Sequence, residues 1–163
     1  HGGRDKAVYA YAEEDADWWG DELGREVPAG LFGENLRTVG LDVTGARIGE
    51  RWWVGSEDRG VLFEVRMPRT PCRNLSDRMG IDRFHDRFNS SGRVGAMLKV
   101  CTPGQVRAGD SIVVERRPQH GITVADLATG PTPEQMELLL HSGVSLATSV
   151  RNAARRVIKR AAA

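Results

Sequence analysis

Gly60-Val61-Leu62-Phe63-Glu64-Val65-Arg66-Met67 (GVLFEVRM, 60–67) runs directly into Pro68-Arg69-Thr70-Pro71-Cys72-Arg73-Asn74 (PRTPCRN, 68–74). The first segment is rich in branched and aromatic residues and reads as a strand. Pro68 has no N–H to give a ladder, and Pro71 stiffens the chain beyond it. The thiol of Cys72 therefore sits on a stiff loop leaving the edge of a sheet, a place where functional groups are often held. Arg69 and Arg73 bring positive charge to it. Positive charge favours the thiolate, the form that attacks electrophiles and binds soft metals. The plain alternative is a half-buried cysteine in an ordinary loop.

Outward from this stretch, further strands are expected at Lys6 to Tyr11, Ala46 to Val54, Val94 to Cys101 and Ser111 to Arg117. Gly55 to Asp58 and Thr102 to Asp110 have turn composition. Glu13 to Leu23 reads as a helix with an acidic first turn. Trp18, Trp19 and Leu23 give it an apolar patch suited to core packing. A helix after Pro68 is expected to run through Leu75 and Met79, with Phe84 and Phe88 beyond it. Thr123 reads as a helix cap, Thr132 or Pro133 as the start of a further helix, and Leu146 to Val157 has helical spacing. Short strands between Gly- and Pro-rich turns predict a mainly β fold, a barrel or closed sheet with peripheral helices and a helical C-terminal tail. The expected division is 1–118 for the barrel-like domain and 119–163 for the helical extension.

The 163 residues are 40% apolar and 28% charged, with a net charge of +1. That composition suits one globular domain and gives no global attraction for nucleic acid. No apolar run is long enough to cross a bilayer. Two cysteines make neither a disulfide framework nor a clustered zinc site, so a reducing, cytoplasmic setting is expected. The chain starts at His1 rather than Met, and an N-terminal portion is expected to be missing. Charge is uneven: Arg151, Arg155, Arg156, Lys159 and Arg160 fall in a terminal segment with no acidic residue. A solvated helix face is the plain reading, and a docking surface for an acidic partner is the alternative.

Other candidate residues are fewer. His1-Gly2-Gly3 reads as a tight turn able to bring backbone amides to an anion, with Arg4 and Lys6 beside it. In Gly33-Glu34-Asn35, Asn35 can donate and accept, and Glu34 can orient an arginine or move a proton. Cys101 ends an apolar strand and reads as a small buried hydrophobe. His85 offers a Cys–His pair with Cys72 as an open alternative. The sequence contains no GxGxxG, no GxxxxGK[ST] and no HExxH.

HGGRDKAVYAY (1–11), LFGENL (31–36), IGERWWVG (48–55), PRTPC (68–72) and SGRVG (91–95) together resemble the MOSC domain family, named after the C-terminal domain of molybdenum cofactor sulfurases. The stand-alone bacterial YiiM-type branch is the most similar in pattern. The resemblance covers His1 to about Pro118. It implies a barrel-like fold with Cys72 as ligand to the molybdenum of a molybdenum-pterin cofactor. Gly2, Gly3, Lys6, Asn35, Arg69 and Arg73 would contact that cofactor. It also implies reduction of small N-hydroxylated compounds such as N-hydroxylated purines, with electrons from a separate reductase partner. A Cys72 persulfide that carries sulfur is the main rival. Pyridoxal phosphate binding, through Lys6 or Lys99, is a weaker family association. A non-enzymatic binding module and a homodimer are further expectations.

Overall fold

The computed structural model describes residues 3–163. Six strands form one sheet: β1 (Val8–Ala12), β2 (Leu36–Thr38), β3 (Arg51–Val54), β4 (Val61–Pro68), β5 (Ala96–Thr102) and β6 (Ile112–Arg116). Their spatial order is β2-β1-β5-β4-β3-β6. Among the described residues only β1 and β2 run parallel, and helix α1 (Glu13–Leu23) lies in the connection between them. A parallel pair needs such a crossover because a tight turn can only reverse the chain. Helices α2 (Arg73–Met79) and α3 (Phe84–Ser91) lie between β4 and β5. Helices α4 (Val124–Thr129), α5 (Pro133–Leu140) and α6 (Thr148–Ala161) come after β6.

Two expectations need correction. The fold is a mixed α/β half-barrel rather than a mainly β one, because helices hold more residues than strands. The sheet is also open, with β2 and β6 as its edges rather than paired to each other. The strand expected over Ala46 to Val54 begins only at Arg51. Before it, Glu50 N–H donates to Arg47 O at 2.9 Å, which closes a turn. Gly49 makes that turn possible with φ +88°, a region that disfavours L side chains. Thr123 and Thr132 do cap α4 and α5, each in a reciprocal capping box.

β4 carries the architecture to the site. Its alternation puts Phe63, Val65 and Met67 in the core, while Glu64 and Arg66 point the other way. These two charged residues are nevertheless buried. Arg66 pairs with Glu64 at 2.6 Å and with Asp5 at 2.8 Å, and it donates to Ser145 O at 2.5 Å. The start of the chain and the helical tail thus close over a neutralised pair. The register with β5 shifts between Val65 and Met67, which leaves Arg66 as the extra residue of a bulge. Bulges bend a strand and re-aim the chain beyond them. In β4 the re-aimed segment is Pro68 and the cysteine loop.

On the far side of β1, Tyr11, Trp19, Phe32, Phe84 and Phe88 form an aromatic core. Tyr11 and Phe32 centroids lie 4.9 Å apart, and Trp19 and Phe84 lie 5.0 Å apart. Trp19 is fully buried and Trp18 packs edge-on to it, as core packing requires. Each such pair adds about 0.5–1.5 kcal/mol beyond area burial. The core extends to tail residues Met136, Leu139, Val150 and Ala154.

Candidate functional site

A cavity of about 430 Å³ opens where β1, the 32–35 loop and the β4–α2 loop meet. Cys72 stands at its wall, exposed and unpaired in any disulfide. It immediately precedes α2, and its side chain makes no capping bond to that helix. Its carbonyl takes Leu75 N–H at 3.0 Å, so the backbone is held while the sulfur stays available.

Lys6, Asn35 and Arg69 join Cys72 in the lining of this cavity. Lys6 ends a 3-10 turn (Arg4–Lys6) and is exposed rather than starting a strand. Asn35 Oδ1 accepts from Tyr9 N–H at 2.8 Å, and Asn35 N–H returns a bond to Tyr9 O at 2.8 Å. This pairing extends the β1–β2 ladder and fixes the amide, whose nitrogen has no bond among the described residues. Arg69 stacks on the Tyr9 ring, 4.8 Å from its centroid, and donates to Phe32 O. Burial holds the Tyr9 hydroxyl protonated far above the usual phenol range, and the Arg69 charge opposes that only in part. The hydroxyl donates to Val94 O at 2.6 Å.

The sequence reading missed Arg78, Thr70 and Asn74, which also line the cavity. Helical spacing was the available signal. On α2, residues 74, 75 and 78 share one face, three to four positions apart. Residues 73, 76, 77 and 80 share the opposite face. Arg73 therefore lies on the other side of α2, where it lines a second cavity with Ser76 and His85. His85 Nδ1 is 2.7 Å from Ser76 Oγ, and His85 is absent from the lining of the Cys72 cavity. Gly3 is exposed with φ +110° and is likewise not part of that lining. His1 and Gly2 lie outside the described residues.

Glu34 also turns away from the cavity. Its carboxylate takes N–H groups of Gly30 and Phe32 at 2.7 and 3.1 Å and pairs with Arg37 at 2.6 Å. It pins the loop that carries Gly33 and Asn35. Cys101 is half-buried rather than sealed in the core. The β4–β5 register shifts between Leu62 and Phe63, so Cys101 has no partner across the ladder.

The cavity's charge is one-sided. Its lining includes Lys6, Arg69 and Arg78 and, among the described residues, no carboxylate. Arg78 donates only to Leu31 O there, at 3.4 Å. A methyl group on Gly33 would lie 3.6 Å from Arg78 Nη1 and 3.8 Å from Arg69 Nη1. Two guanidinium nitrogens thus approach one point with nothing negative between them. At an effective dielectric near 20, such a pair repels by about 2 kcal/mol or more before salt screening. An anion placed there would remove that cost and gain charge-assisted bonds.

The MOSC domain model matches residues 1–113. The chain belongs to the MOSC domain family. Within it, this MOSC chain is homologous to the bacterial YiiM and YflK proteins. It is 33% identical over 124 residues to the uncharacterized protein YflK of Bacillus subtilis, covering 76% of this chain and 54% of that protein. It is 32% identical over 111 residues to protein YiiM of Escherichia coli, covering 66% of this chain and 48% of that protein. A Gibberella moniliformis protein named Reductase is 33% identical over 121 residues, covering 72% of this chain and 21% of that protein. The MOSC chain thus spans about half the length of YflK and YiiM and about a fifth of the third relative. Among solved structures, YiiM of Geobacillus stearothermophilus superposes with a TM-score of 0.83 at 25% identity, covering 95% of this chain and 80% of that one. YiiM of Escherichia coli superposes with a TM-score of 0.78 at 27% identity, covering 94% and 78%. No helix among the described residues is long and apolar enough to cross a membrane.

Proposed function

We propose that this MOSC chain is a molybdenum-cofactor-dependent reductase of small N-hydroxylated compounds, with Cys72 as the protein's ligand to molybdenum. The observation that carries the reading is one cavity holding an exposed thiol, three cationic side chains and, among the described residues, no carboxylate. The donor set fits a molybdenum-pterin group. A thiolate is the soft ligand such a metal takes from a protein. Arg69, Arg78 and Lys6 suit the phosphate, and the free amide of Asn35 suits a polar heterocycle. Tyr9, Phe32, Leu75 and Met97 supply apolar wall for a flat ring. Among the described residues no group of three or more His, Cys, Asp or Glu side chains is placed to chelate a metal. A metal beside Cys72 would therefore depend on the organic part of its cofactor for most of its ligands.

When bound, that group would supply the two-electron chemistry that cleaves an N–O bond. The balance is one hydroxylamine, two electrons and two protons giving one amine and one water. The protein's part is to fix Cys72 on a proline-stiffened loop, to hold the anionic end through Arg69 and Arg78, and to leave the cavity open to substrate. The two cysteines cannot ligate an iron–sulfur cluster of four, so electrons would reach the cavity from outside this domain. The relative named Reductase supports this class of chemistry.

The test is turnover of an N-hydroxylated purine by protein made in a host competent for the cofactor, with chemically reduced viologen as donor. Amine formation that falls at least about a hundredfold in Cys72→Ala, a loss typical of an essential group, is the expected result. Equal turnover in Cys72→Ala would overturn the reading. A persulfide on Cys72 with no amine formation would establish sulfur transfer instead.

A further inference from the structure

The helical tail presents a second charged surface. α6 (Thr148–Ala161) buries Val150 and Ala154 and packs Val157 and Ile158 against the core. Its other face shows Arg155, Arg156, Lys159 and Arg160 exposed, with Arg151 half-exposed. Among the described residues, none of these five makes a salt bridge or a side-chain hydrogen bond. Elsewhere Arg37, Arg51, Arg59, Arg66, Arg93 and Arg117 all reach carboxylates. The tail has its cations to itself because Val144 to Ala163 contains no acidic residue.

The first turn of α6 reaches the strand that leads to the site. Ser149 Oγ, in the first turn of α6, lies 4.0 Å from Met67 Sδ. Met67 directly precedes Pro68, which lines the Cys72 cavity. Arg66, one residue earlier, bonds Ser145 O in the approach to α6. The start of the helix therefore lies against the end of the strand that delivers the cysteine loop.

We propose that the basic face of α6 docks an acidic, one-electron redox protein that supplies the cavity. This inference rests on the reductase reading of that cavity. Charge favours a compact protein over the other anionic partners. The chain carries +1 overall and the tail five basic residues, so the remainder is net acidic and would repel a long nucleic acid. A membrane surface needs a free apolar face, and the apolar face of α6 is already packed inward. Fourteen helical residues span about 21 Å, the scale of one protein patch. In each cycle two docked carriers would each give up one electron, and two protons would come from water. Charge complementarity of this kind acts chiefly on association rate and is weakened by salt.

The experiment uses the full chain and a purified acidic flavodoxin as probe. Binding is measured by calorimetry and fluorescence at low and high salt, for wild type, Arg155→Glu/Arg156→Glu and the milder Lys159→Gln/Arg160→Gln. Thermal unfolding of each variant serves as the folding control. The expected result is about tenfold weaker flavodoxin binding for the first pair, a smaller loss for the second, and a flatter salt dependence in both. Turnover with reduced viologen should be unchanged, while turnover with reduced flavodoxin should fall about tenfold. Flavodoxin binding that is absent or indifferent to both substitutions overturns the inference. So does tighter binding to a DNA duplex or to anionic vesicles than to flavodoxin. Failure of viologen-driven turnover in wild type would count against the reductase reading alone, and the binding arm would still decide the docking surface.

Discussion

Arg66 and Arg69 stand three residues apart, yet the fold treats their charges in opposite ways. Arg66 is buried and meets Glu64 at 2.6 Å and Asp5 at 2.8 Å, while Glu64 also holds Arg51 at 2.9 Å. Arg69 meets the carbonyl of Phe32 and the ring of Tyr9 but, among the described residues, no carboxylate. The first arrangement is neutral and complete, so it ties strand, tail and chain start together. The second leaves a positive charge that no carboxylate answers among the described residues. The two arginines differ both in what answers their charge and in depth, Arg66 being buried and Arg69 half-buried.

The contrast can be broken most severely at Arg66. Arg66→Met leaves the Glu64 carboxylate buried with half its neutralisation gone. Breaking a buried pair in this way costs about 3–5 kcal/mol. Denaturant unfolding should show that loss, and Glu64→Gln in the same chain should recover part of it. A loss under about 1 kcal/mol would mean the network is not structural.

At the cavity the pattern should invert. Arg69→Met and Arg78→Met should each change stability by less than about 1 kcal/mol. Each should weaken binding of inorganic pyrophosphate about tenfold or more, because a charge-assisted bond contributes about 1.5–3 kcal/mol. Calorimetry on the apo protein measures it. Unchanged pyrophosphate affinity in both variants would remove the reason to read the cavity as an anion site.

The smallest effect is expected at a surface pair. Arg59 donates to Asp110 at 2.5 Å, and that bond, with a further one from Arg107 N–H, lowers the Asp110 pKa from 3.8 to about 2. Asp110 then ionises more readily in the folded protein than in the unfolded chain. Its contribution is present above about pH 4 and fades as acid carries the pH down toward about 2. Asp110→Asn should flatten the stability curve across that window and leave pyrophosphate binding at neutral pH untouched. A variant curve parallel to wild type would show that the pair adds nothing to acid resistance.

Much of this was legible in the residues. Strands β4 and β5, helix α1 and both Thr caps came from composition and spacing, because their signals are local. The thiol loop was legible for the same reason: two prolines and two arginines around one cysteine mark it without any tertiary knowledge. What failed was non-local or needed a helical phase. Arg73 borders Cys72 in sequence, but α2 begins there and turns it onto the opposite face. Arg78, six positions on, returns to the cysteine's cavity. Gly49 looked like one more residue in a strand, whereas its positive φ makes a turn. Glu64 and Arg66 are charged residues within a strand segment, and only the tail folding back on them shows why they are buried.

The most direct measurement is molybdenum per chain, by elemental analysis of protein purified from a cofactor-competent host, for wild type and Cys72→Ser. Wild type should retain close to one molybdenum and the variant close to none, and the cofactor-free forms of both should unfold at the same temperature because the thiol is exposed. Equal molybdenum in the two proteins would contradict the assignment of the Cys72 sulfur as the metal's anchor.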